Sequence, residues 1–182
     1  TAVSISPSQP DIVYALFEID SPALYRSDDF GETWTDITNN LPEEPVNVIR
    51  EHHQNPNLLF VGTDFAVYAS VDGGNTWTSM KNNMPTNPAY DIKIHPREND
   101  LIVATHGRGI YIADISALAE VNLETLGQEA YFFQPESKIR WVSGLSHEAA
   151  SDNFNGESEP AAIPFYYYLQ SDVGGQVTLN RD

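Results

Sequence analysis

The sequence is short of several residue types, and each shortage excludes a class of protein. It contains no cysteine, so it has no disulfide framework and no thiolate to bind a metal or act as a nucleophile. Lysine and arginine number 9 against 26 aspartates and glutamates, a formal net charge of −17. Such an acidic chain repels phosphate backbones and anionic lipid surfaces, which argues against nucleic acid and membranes as partners. No apolar run approaches the ~20 residues of a membrane-spanning helix.

The two ends of the chain also lack features that usually mark a beginning and an end. No signal peptide follows Thr1, and the opening residues TAVSISPSQPDIVYALFE resemble the middle of a protein. The closing residues GGQVTLNRD resemble a strand that stops short. We therefore expect the chain to be part of a longer precursor.

What the sequence does contain is a repeated eight-residue pattern, S-x-D-x-G-x-T-W. It occurs as SDDFGETW at residues 27–34 and as SVDGGNTW at residues 70–77. Apolar residues make up 41% of the chain and aromatic residues 11%, enough for a packed core. Because active sites are rarely duplicated along a chain, the repeat indicates a structural unit.

Each repeat has the pattern of short strands joined by tight turns. Before each box, and again at DLIVATHGRGIYIA (100–113), two short β-type runs flank a polar or glycine-containing turn, as in a hairpin. The segments TNNLPEEP and KNNMPTNP form a further matched pair. About four short strands in roughly 43 residues match one blade of a β-propeller. The sequence therefore predicts an all-β fold with three blades, at residues 1–40, 41–83 and 84–115, belonging to a larger propeller.

The residue types of the box suit a tight turn. The aspartate is expected to accept backbone N–H groups, the serine to close the turn, and the glycine to supply an unusual backbone conformation. The threonine is expected to start the next strand, and the tryptophan to bury its ring between blades. A calcium loop is the alternative, but the boxes have few carboxylates for that metal. The predicted structural residues are Ser27, Asp29, Gly31, Thr33, Trp34, Ser70, Asp72, Gly74, Thr76 and Trp77.

This pattern is identified as the Asp-box, or BNR repeat, of bacterial sialidases, sortilin-type receptors, xyloglucanases and photosystem II assembly factors. The third repeat, HPRENDLIVATHGRGIYIADI, more narrowly resembles the last blade of large secreted bacterial BNR or sortilin-like proteins related to glycosyl hydrolases. The resemblance implies the propeller fold for residues 1–115. It does not settle function, because the family includes both enzymes and binding modules.

The last third of the chain leaves the repeat. Residues 116–135 are predicted to be an exit segment with one short helix, for which Ser116 is the N-cap and Gly127 lies near the end. Residues 136–182 are predicted to be a loop and the first strands of a truncated domain. The run NGESEPAAIPFYYYL resembles the opening of an immunoglobulin-like β-sandwich. Tyr166, Tyr167 and Tyr168 are either a carbohydrate platform or a strand with one or two rings in the core.

Few residues suggest chemistry. His106 and Arg108 lie on one predicted hairpin tip and are candidates for binding an anionic or carbohydrate ligand. Asp64 lies on another tip and is a candidate ligand residue, as a possible member of the carboxylate pair of a xyloglucanase whose partner the sequence does not identify. The structural alternative is that His106 and Arg108 belong to a glycine-assisted turn and that their side chains form hydrogen bonds with neighbouring blades. Only Arg108 among the arginines falls on a hairpin tip, so the arginine triad of sialidases cannot be carried over. Adjacent strand residues point to opposite faces, so His52 and His53 are not expected to chelate one metal.

The first functional hypothesis is a non-catalytic interaction module of a secreted, periplasmic or cell-surface bacterial protein that binds protein or glycan, without metal or cofactor. The second is part of a sialidase-like or xyloglucanase-like glycoside hydrolase whose catalytic carboxylates lie mostly in blades outside this chain. In either case three blades leave open flanks. We expect these flanks to pack against N-terminal blades or another polypeptide.

Overall fold

A computed structural model describes residues 2–19, 21–81, 84–135 and 163–171. The chain divides into two compact units, Thr1–Gln128 and Glu129–Asp182. The first unit is built from antiparallel sheets in which each strand pairs with the next along the chain. This is the strand order of propeller blades, so the predicted all-β propeller architecture is confirmed for this unit.

The first two sheets have four strands each and the third has three. Blade 1 contains β1 (Ala2–Ile5), β2 (Val13–Ile19), β3 (Ser21–Ser27) and β4 (Thr35–Asp36). Blade 2 contains β5 (Val46–Glu51), β6 (Leu59–Thr63), β7 (Val67–Ser70) and β8 (Thr78–Ser79). Blade 3 contains β9 (Ala89–Ile94), β10 (Asp100–Thr105) and β11 (Ile110–Asp114). Blade 3 lacks both the box and the strand that follows it.

The Asp-box is the turn between the third and fourth strands of blades 1 and 2. In blade 1, the Asp29 carboxylate accepts the Thr33 N–H at 2.8 Å and the Thr33 hydroxyl at 2.6 Å. The Ser27 hydroxyl accepts the Gly31 N–H at 2.8 Å and donates to Asp29 at 2.7 Å. Gly31 has a φ of +92°, which favours glycine. Thr33 therefore closes the turn, whereas the next strand begins only at Thr35.

Blade 2 repeats these bonds, with Asp72 accepting the Thr76 N–H and hydroxyl at 2.9 and 2.7 Å. The hydrogen bonds from Thr33 hold the pKa of Asp29 at about 2. Partial burial of Asp72 raises its pKa, but the hydrogen bonds from Thr76 outweigh this effect and leave it lowered. Both boxes are thus stabilised by an ionised carboxylate.

The two box tryptophans lie in different environments. Trp77 is 4% exposed and packs in the core between blades 1 and 2. Trp34 is 43% exposed, so the expectation that both rings are buried is wrong for Trp34. The physical reason is position, because Trp77 faces blade 1 while no sheet of the described residues packs on the corresponding side of blade 1.

Blade 1 reaches over the box of blade 2 through the segment Ile37–Asn40, which we call the exit strap. The Asn40 side chain accepts the Trp77 N–H at 2.8 Å and donates to the Trp77 carbonyl at 2.8 Å. Asn39 donates to the Gly74 carbonyl at 2.7 Å, and the Trp77 indole N–H donates to the Ile37 carbonyl at 2.9 Å. The TNNLP segment is therefore part of an inter-blade connection, whereas residues 82 and 83 of the matched KNNMP segment lie outside the described residues.

The turn after the first strand of each blade is capped by one side chain. In blade 1 the Ser6 hydroxyl accepts the N–H groups of the residues two and three positions later, at 3.2 and 2.9 Å. In blade 2 the Nδ1 atom of His52 does the same, at 3.3 and 3.2 Å. His52 lies one residue beyond β5, and its ring centroid is 4.5 Å from that of His53. The expectation that these side chains diverge is therefore wrong, because they follow the strand rather than belong to it.

The exit segment contains two short helices rather than one. These are α1 (Ser116–Ala119) and α2 (Leu123–Leu126). The predicted N-cap Ser116 is the first residue of α1, whose N-cap is Ile115. Asn122 caps α2 by accepting the Glu124 and Thr125 N–H groups at 2.9 and 3.0 Å. In the part of the chain that the structure describes, no helix has the length and apolar character needed to cross a membrane.

In the second unit, the described residues form one antiparallel pair. β12 (Ala130–Phe132) pairs with β13 (Tyr167–Leu169). Tyr166 and Tyr167 are about half exposed. Most of the predicted β-sandwich, residues 136–162 and 172–182, lies outside the described residues, and the sandwich stays a prediction.

Candidate functional site

The first strands of the three blades lie next to one another and form what we call the inner wall. Most contacts between neighbouring sheets involve these strands, above all β5 with β9. They line a cleft of about 180 Å³. Its polar lining residues are Ser4 from blade 1, Asn47 and Arg50 from blade 2, and Tyr90 and Asp91 from blade 3. Each blade therefore contributes to one small concave surface.

Arg50 joins two of the strands that form this wall. Its Nε atom donates to the Ile92 carbonyl at 2.9 Å, and its Nη2 atom lies 3.1 Å from the Asp91 carboxylate. Lys93 lies 3.6 Å from the other oxygen of Asp91. The Asp91 carboxylate is thus shared between two cations, and Arg50 holds blade 2 to blade 3.

Asp64 lies at the rim of the wall, on the tip of the β6–β7 hairpin. Its carboxylate accepts the Asn47 side-chain N–H at 3.0 Å, and its backbone N–H donates to the Pro45 carbonyl at 3.2 Å. The hairpin tip therefore packs on the loop that enters the blade. Through Asn47, Asp64 is connected directly to the cleft.

His106 lies at the corresponding rim of blade 3. Its backbone N–H donates to the Pro88 carbonyl at 3.0 Å, and its ring meets the Tyr90 ring edge to face, with centroids 5.6 Å apart. Tyr90 itself is 53% exposed. Arg108 is exposed on the same turn, between Gly107 and Gly109, both with positive φ. The turn thus places the His106 ring against Tyr90, which lines the cleft, and leaves Arg108 exposed.

Two of the three predicted ligand residues therefore contact residues of the cleft, and no contact described above joins Arg108 to it. Asp64 reaches the cleft through Asn47, and His106 reaches it through Tyr90. Sequence reasoning did not select Asn47, Tyr90, Arg50 or Asp91, which line the cleft. The signal was available, because Asn47 and Tyr90 occupy the same position of successive repeats.

The other buried acids near these blades have structural partners. Glu51 is 6% exposed and accepts hydrogen bonds from Ser6, Ser8 and Tyr14, at 2.6, 2.5 and 2.6 Å. Burial and the bond to Glu51 raise the pKa of Tyr14. Glu44 accepts the Thr63 hydroxyl at 2.9 Å. These carboxylates hold the blades rather than face a ligand.

No metal site is evident on the described blades. Among residues 2–19, 21–81, 84–135 and 163–171, no group of three or more His, Asp or Glu side chains converges in a way that could hold a metal ion. His52 instead uses Nδ1 for its turn and Nε2 for Asn99, at 3.2 Å. Burial lowers the pKa of His52, so the neutral ring is favoured.

Comparison with solved structures shows the same fold in larger proteins. An ancestral GH74 enzyme is 25% identical over 59% of this chain, with a TM-score of 0.52. The GH74 enzyme of Niastella koreensis is 19% identical over 62% of this chain, with a TM-score of 0.50. The matches cover only 13% and 21% of those proteins. The chain thus corresponds to a small part of either one.

Sequence comparison identifies a family rather than an individual relative. No curated protein gives a significant match. The family model described as sortilin, neurotensin receptor 3, matches residues 22–123, more than half of the chain and most of the three blades. The chain therefore belongs to the Sortilin-Vps10 family of Asp-box β-propellers.

Proposed function

We propose that the chain is a non-catalytic interaction module of a secreted or cell-surface bacterial protein, and that it binds a glycan at the inner-wall cleft. The observation that carries the proposal is the composition of the cleft. A half-exposed aromatic ring, Tyr90, stands beside an amide, Asn47, and a paired cation and carboxylate, Arg50 and Asp91. An apolar ring with a few fixed polar groups is suited to a sugar, which has apolar faces and hydroxyl edges.

The carboxylates support binding rather than hydrolysis. A glycosidase needs two carboxyl groups with different roles, one that donates a proton and one that acts as a nucleophile or base. Asp91 is paired with Arg50 and Lys93, and Asp64 is bonded to Asn47. Each carboxylate is thus held by neighbouring side chains as part of the wall, and no second carboxyl group is bonded to either of them in the contacts described above.

A glycoside hydrolase is the second candidate, favoured by the similarity to GH74 enzymes. The catalytic carboxylates would then be supplied mainly by blades that this chain does not contain. The inner-wall cleft would serve as part of the substrate surface. This candidate is distinguished from the first by the release of reducing ends, which is measured on this chain and on any longer protein that contains those blades.

The test measures binding and hydrolysis on the same samples. Xyloglucan oligosaccharides and sialyllactose are titrated by calorimetry, and reducing ends are followed in parallel. We expect binding without release, loss of binding in Tyr90→Ala and Asn47→Ala, and full binding in Ile112→Ala. Ile112 is the matched control because it is a 66% exposed apolar residue of the same blade, on β11 rather than on the inner wall.

Each other outcome contradicts the proposal. Release of reducing ends that is abolished by Asp91→Asn or Asp64→Asn would establish the hydrolase. Binding that survives Tyr90→Ala would place the sugar elsewhere. Absence of binding to both saccharide classes would reject the glycan ligand, and the peptide ligand of a receptor would then take its place.

A further inference from the structure

We propose that the open flank of blade 1 is a docking surface for one further Asp-box blade. The face of that blade that meets blade 1 would carry the same residue types as the face of blade 2 that packs on blade 3. The open flank is the side of blade 1 that faces away from blade 2, and it presents Val3, Ile5, Phe30 and Trp34. The inference does not rest on the proposed glycan site. It comes from comparing this flank with the equivalent, covered flanks of the other two blades.

Strand register defines which residues are equivalent. Ile5 pairs with the first residue of β2, Glu51 pairs with the first residue of β6, and Ile94 pairs with the second residue of β10. The two boxes align directly. The equivalent pairs and their exposed fractions are Val3 (66%) with Ile49 (0%), Ile5 (65%) with Glu51 (6%), and Trp34 (43%) with Trp77 (4%). These three positions are covered in blade 2 and exposed in blade 1.

The box of blade 1 also lacks the strap that the box of blade 2 receives. The indole N–H of Trp77 donates across the joint to the strap of blade 1. The indole N–H of Trp34 turns back to the Gly31 carbonyl of its own loop, at 3.0 Å. The open flank thus has the apolar surface and the donor that a strap of the Ile37–Asn40 type would cover.

A second copy of this chain does not provide such a blade. The strap of blade 1 is already bonded to the box of blade 2. The flank of blade 2 is covered by blade 3, because Phe60 and Ala69 share a buried cluster with Ile92. Blade 3 has an exposed outer flank, where Ile110 and Ile112 are 68% and 66% exposed, but it has no box and, among the described residues, no fourth strand that could lead into a strap. The occupant is therefore a separate blade, with both its flank and its strap free.

The residue at the Ile5 position specifies the chemistry of this occupant. In the joint between blades 1 and 2, Glu51 meets the hydroxyl of Tyr14. In the joint between blades 2 and 3, the equivalent residue is Ile94, and it packs against the cluster that contains Phe60. Phe60 stands where blade 1 has Tyr14. Ile5 therefore requires an occupant that carries phenylalanine, as Phe60 does in blade 2, rather than tyrosine at this position.

Phe30 gives a second, independent specification. It is 74% exposed and has a φ of +60°, whereas the equivalent residue of blade 2 is Gly73. A side chain at Gly73 would approach Arg26 of blade 1, whose Nη1 atom is 3.3 Å from the position of a Cβ. An occupant with arginine at the position of Arg26 would crowd the phenyl ring of Phe30. Blade 2 carries Ala69 at that position, and a small residue leaves room for Phe30.

The experiment adds a blade in front of Thr1 and measures whether Trp34 becomes covered. One extended protein carries a copy of residues 47–89, which is blade 2 with the segment that corresponds in sequence to the exit strap. The matched protein carries a copy of residues 1–46, which is blade 1 with its strap. The last residues of the two copies, Ala89 and Val46, hold the same position of the repeat, the one that directly precedes the position of Thr1. Each added blade therefore continues into β1 with the repeat spacing unchanged. The tryptophan of each added box is replaced by phenylalanine.

Acrylamide quenching of Trp34 is the readout, assigned by difference from Trp34→Phe. We expect the blade 2 copy to lower the quenching of Trp34 to the level of Trp77, and to raise the denaturation midpoint. The blade 1 copy should protect Trp34 less. Replacing Asn82 and Asn83 by alanine in the added strap alone should restore the quenching, and Phe30→Gly should remove the difference between the two copies.

Equal protection by both copies would overturn the proposed specificity, and no protection by either would overturn the docking surface. Should the extended proteins not fold, a free peptide of residues 80–89 is titrated instead. It should protect Trp34, and the form with both asparagines replaced should not. Sedimentation of the chain alone completes the test, because a dimer that disappears in Trp34→Ser would identify a second copy as the occupant and refute the inference.

Discussion

The two box tryptophans offer a matched test of what stabilises the propeller unit. Trp77→Ala removes a ring that is 4% exposed and leaves the buried Ile37 carbonyl without its indole donor. Truncation of a buried aromatic costs about 3–5 kcal/mol. Trp34→Ala removes a ring that is 43% exposed and whose indole bonds only within its own loop. We therefore expect a cost of about 1 kcal/mol, as for residues outside a packed core.

The assay is urea denaturation followed by far-ultraviolet circular dichroism, at one pH and one protein concentration. Because about 4 kcal/mol is a large part of the stability of a domain, Trp77→Phe and Trp34→Phe form a milder second pair. The phenylalanine at position 77 should cost about 1–3 kcal/mol through the unsatisfied carbonyl, and the one at position 34 almost nothing. Equal losses at the two positions would refute the reasoning, because they would mean that the box tryptophan acts within its own turn and not between blades.

Three further predictions concern other parts of the same joints. Gly62→Ala should destabilise the protein by about 1–3 kcal/mol, measured by the same denaturation, because its Cβ would lie 2.7 Å from a carbonyl of blade 3. The pKa values of the Asp29 and Asp72 carboxyl groups are lowered from the unfolded value of 3.8, so their ionised forms stabilise the fold above that pH. The urea midpoint should therefore fall as the pH drops from 4 towards 2, and it should fall less steeply in Asp29→Asn. The lowered pKa of His52 favours its neutral form, so the stability of the fold should decline as the pH falls below the unfolded pKa of 6.5. The variant His52→Ser copies the Ser6 cap of blade 1 and should flatten that decline, measured by thermal melts from pH 7 to 5.

The fold was largely predictable because its determinants are local. The box places its aspartate, glycine and threonine within eight residues, so the turn can be inferred from the sequence alone. The burial of Trp34 and Trp77 could not be inferred, because the same eight residues meet different neighbours. The second helix of the exit segment was also missed. Its cap, Asn122, is followed by residues without an apolar period, and four-residue helices are too short to show one.

The candidate site was predictable only at its rim. Asp64, His106 and Arg108 attract attention because they interrupt hairpins with unusual turn residues. Asn47 and Tyr90 lie at register shifts of β5 and β9, 43 positions apart, and only the stacking of two blades brings them to one surface. Arg50 illustrates the same limit, because its role as a clamp depends on the Ile92 carbonyl of the next blade. Function of this kind is a property of the joint between repeats.

The exit strap gives the array of blades a direction. The box of blade 2 is completed by residues that precede it in the chain, since Asn39 and Asn40 come before the box that they bind. During synthesis a strap therefore leaves the ribosome before the box that needs it, and every new blade meets a ready template. Nearest-neighbour coupling of this form lets folding propagate from the N-terminal side. A break in the strap should stop that propagation at one blade and leave the blades before it intact.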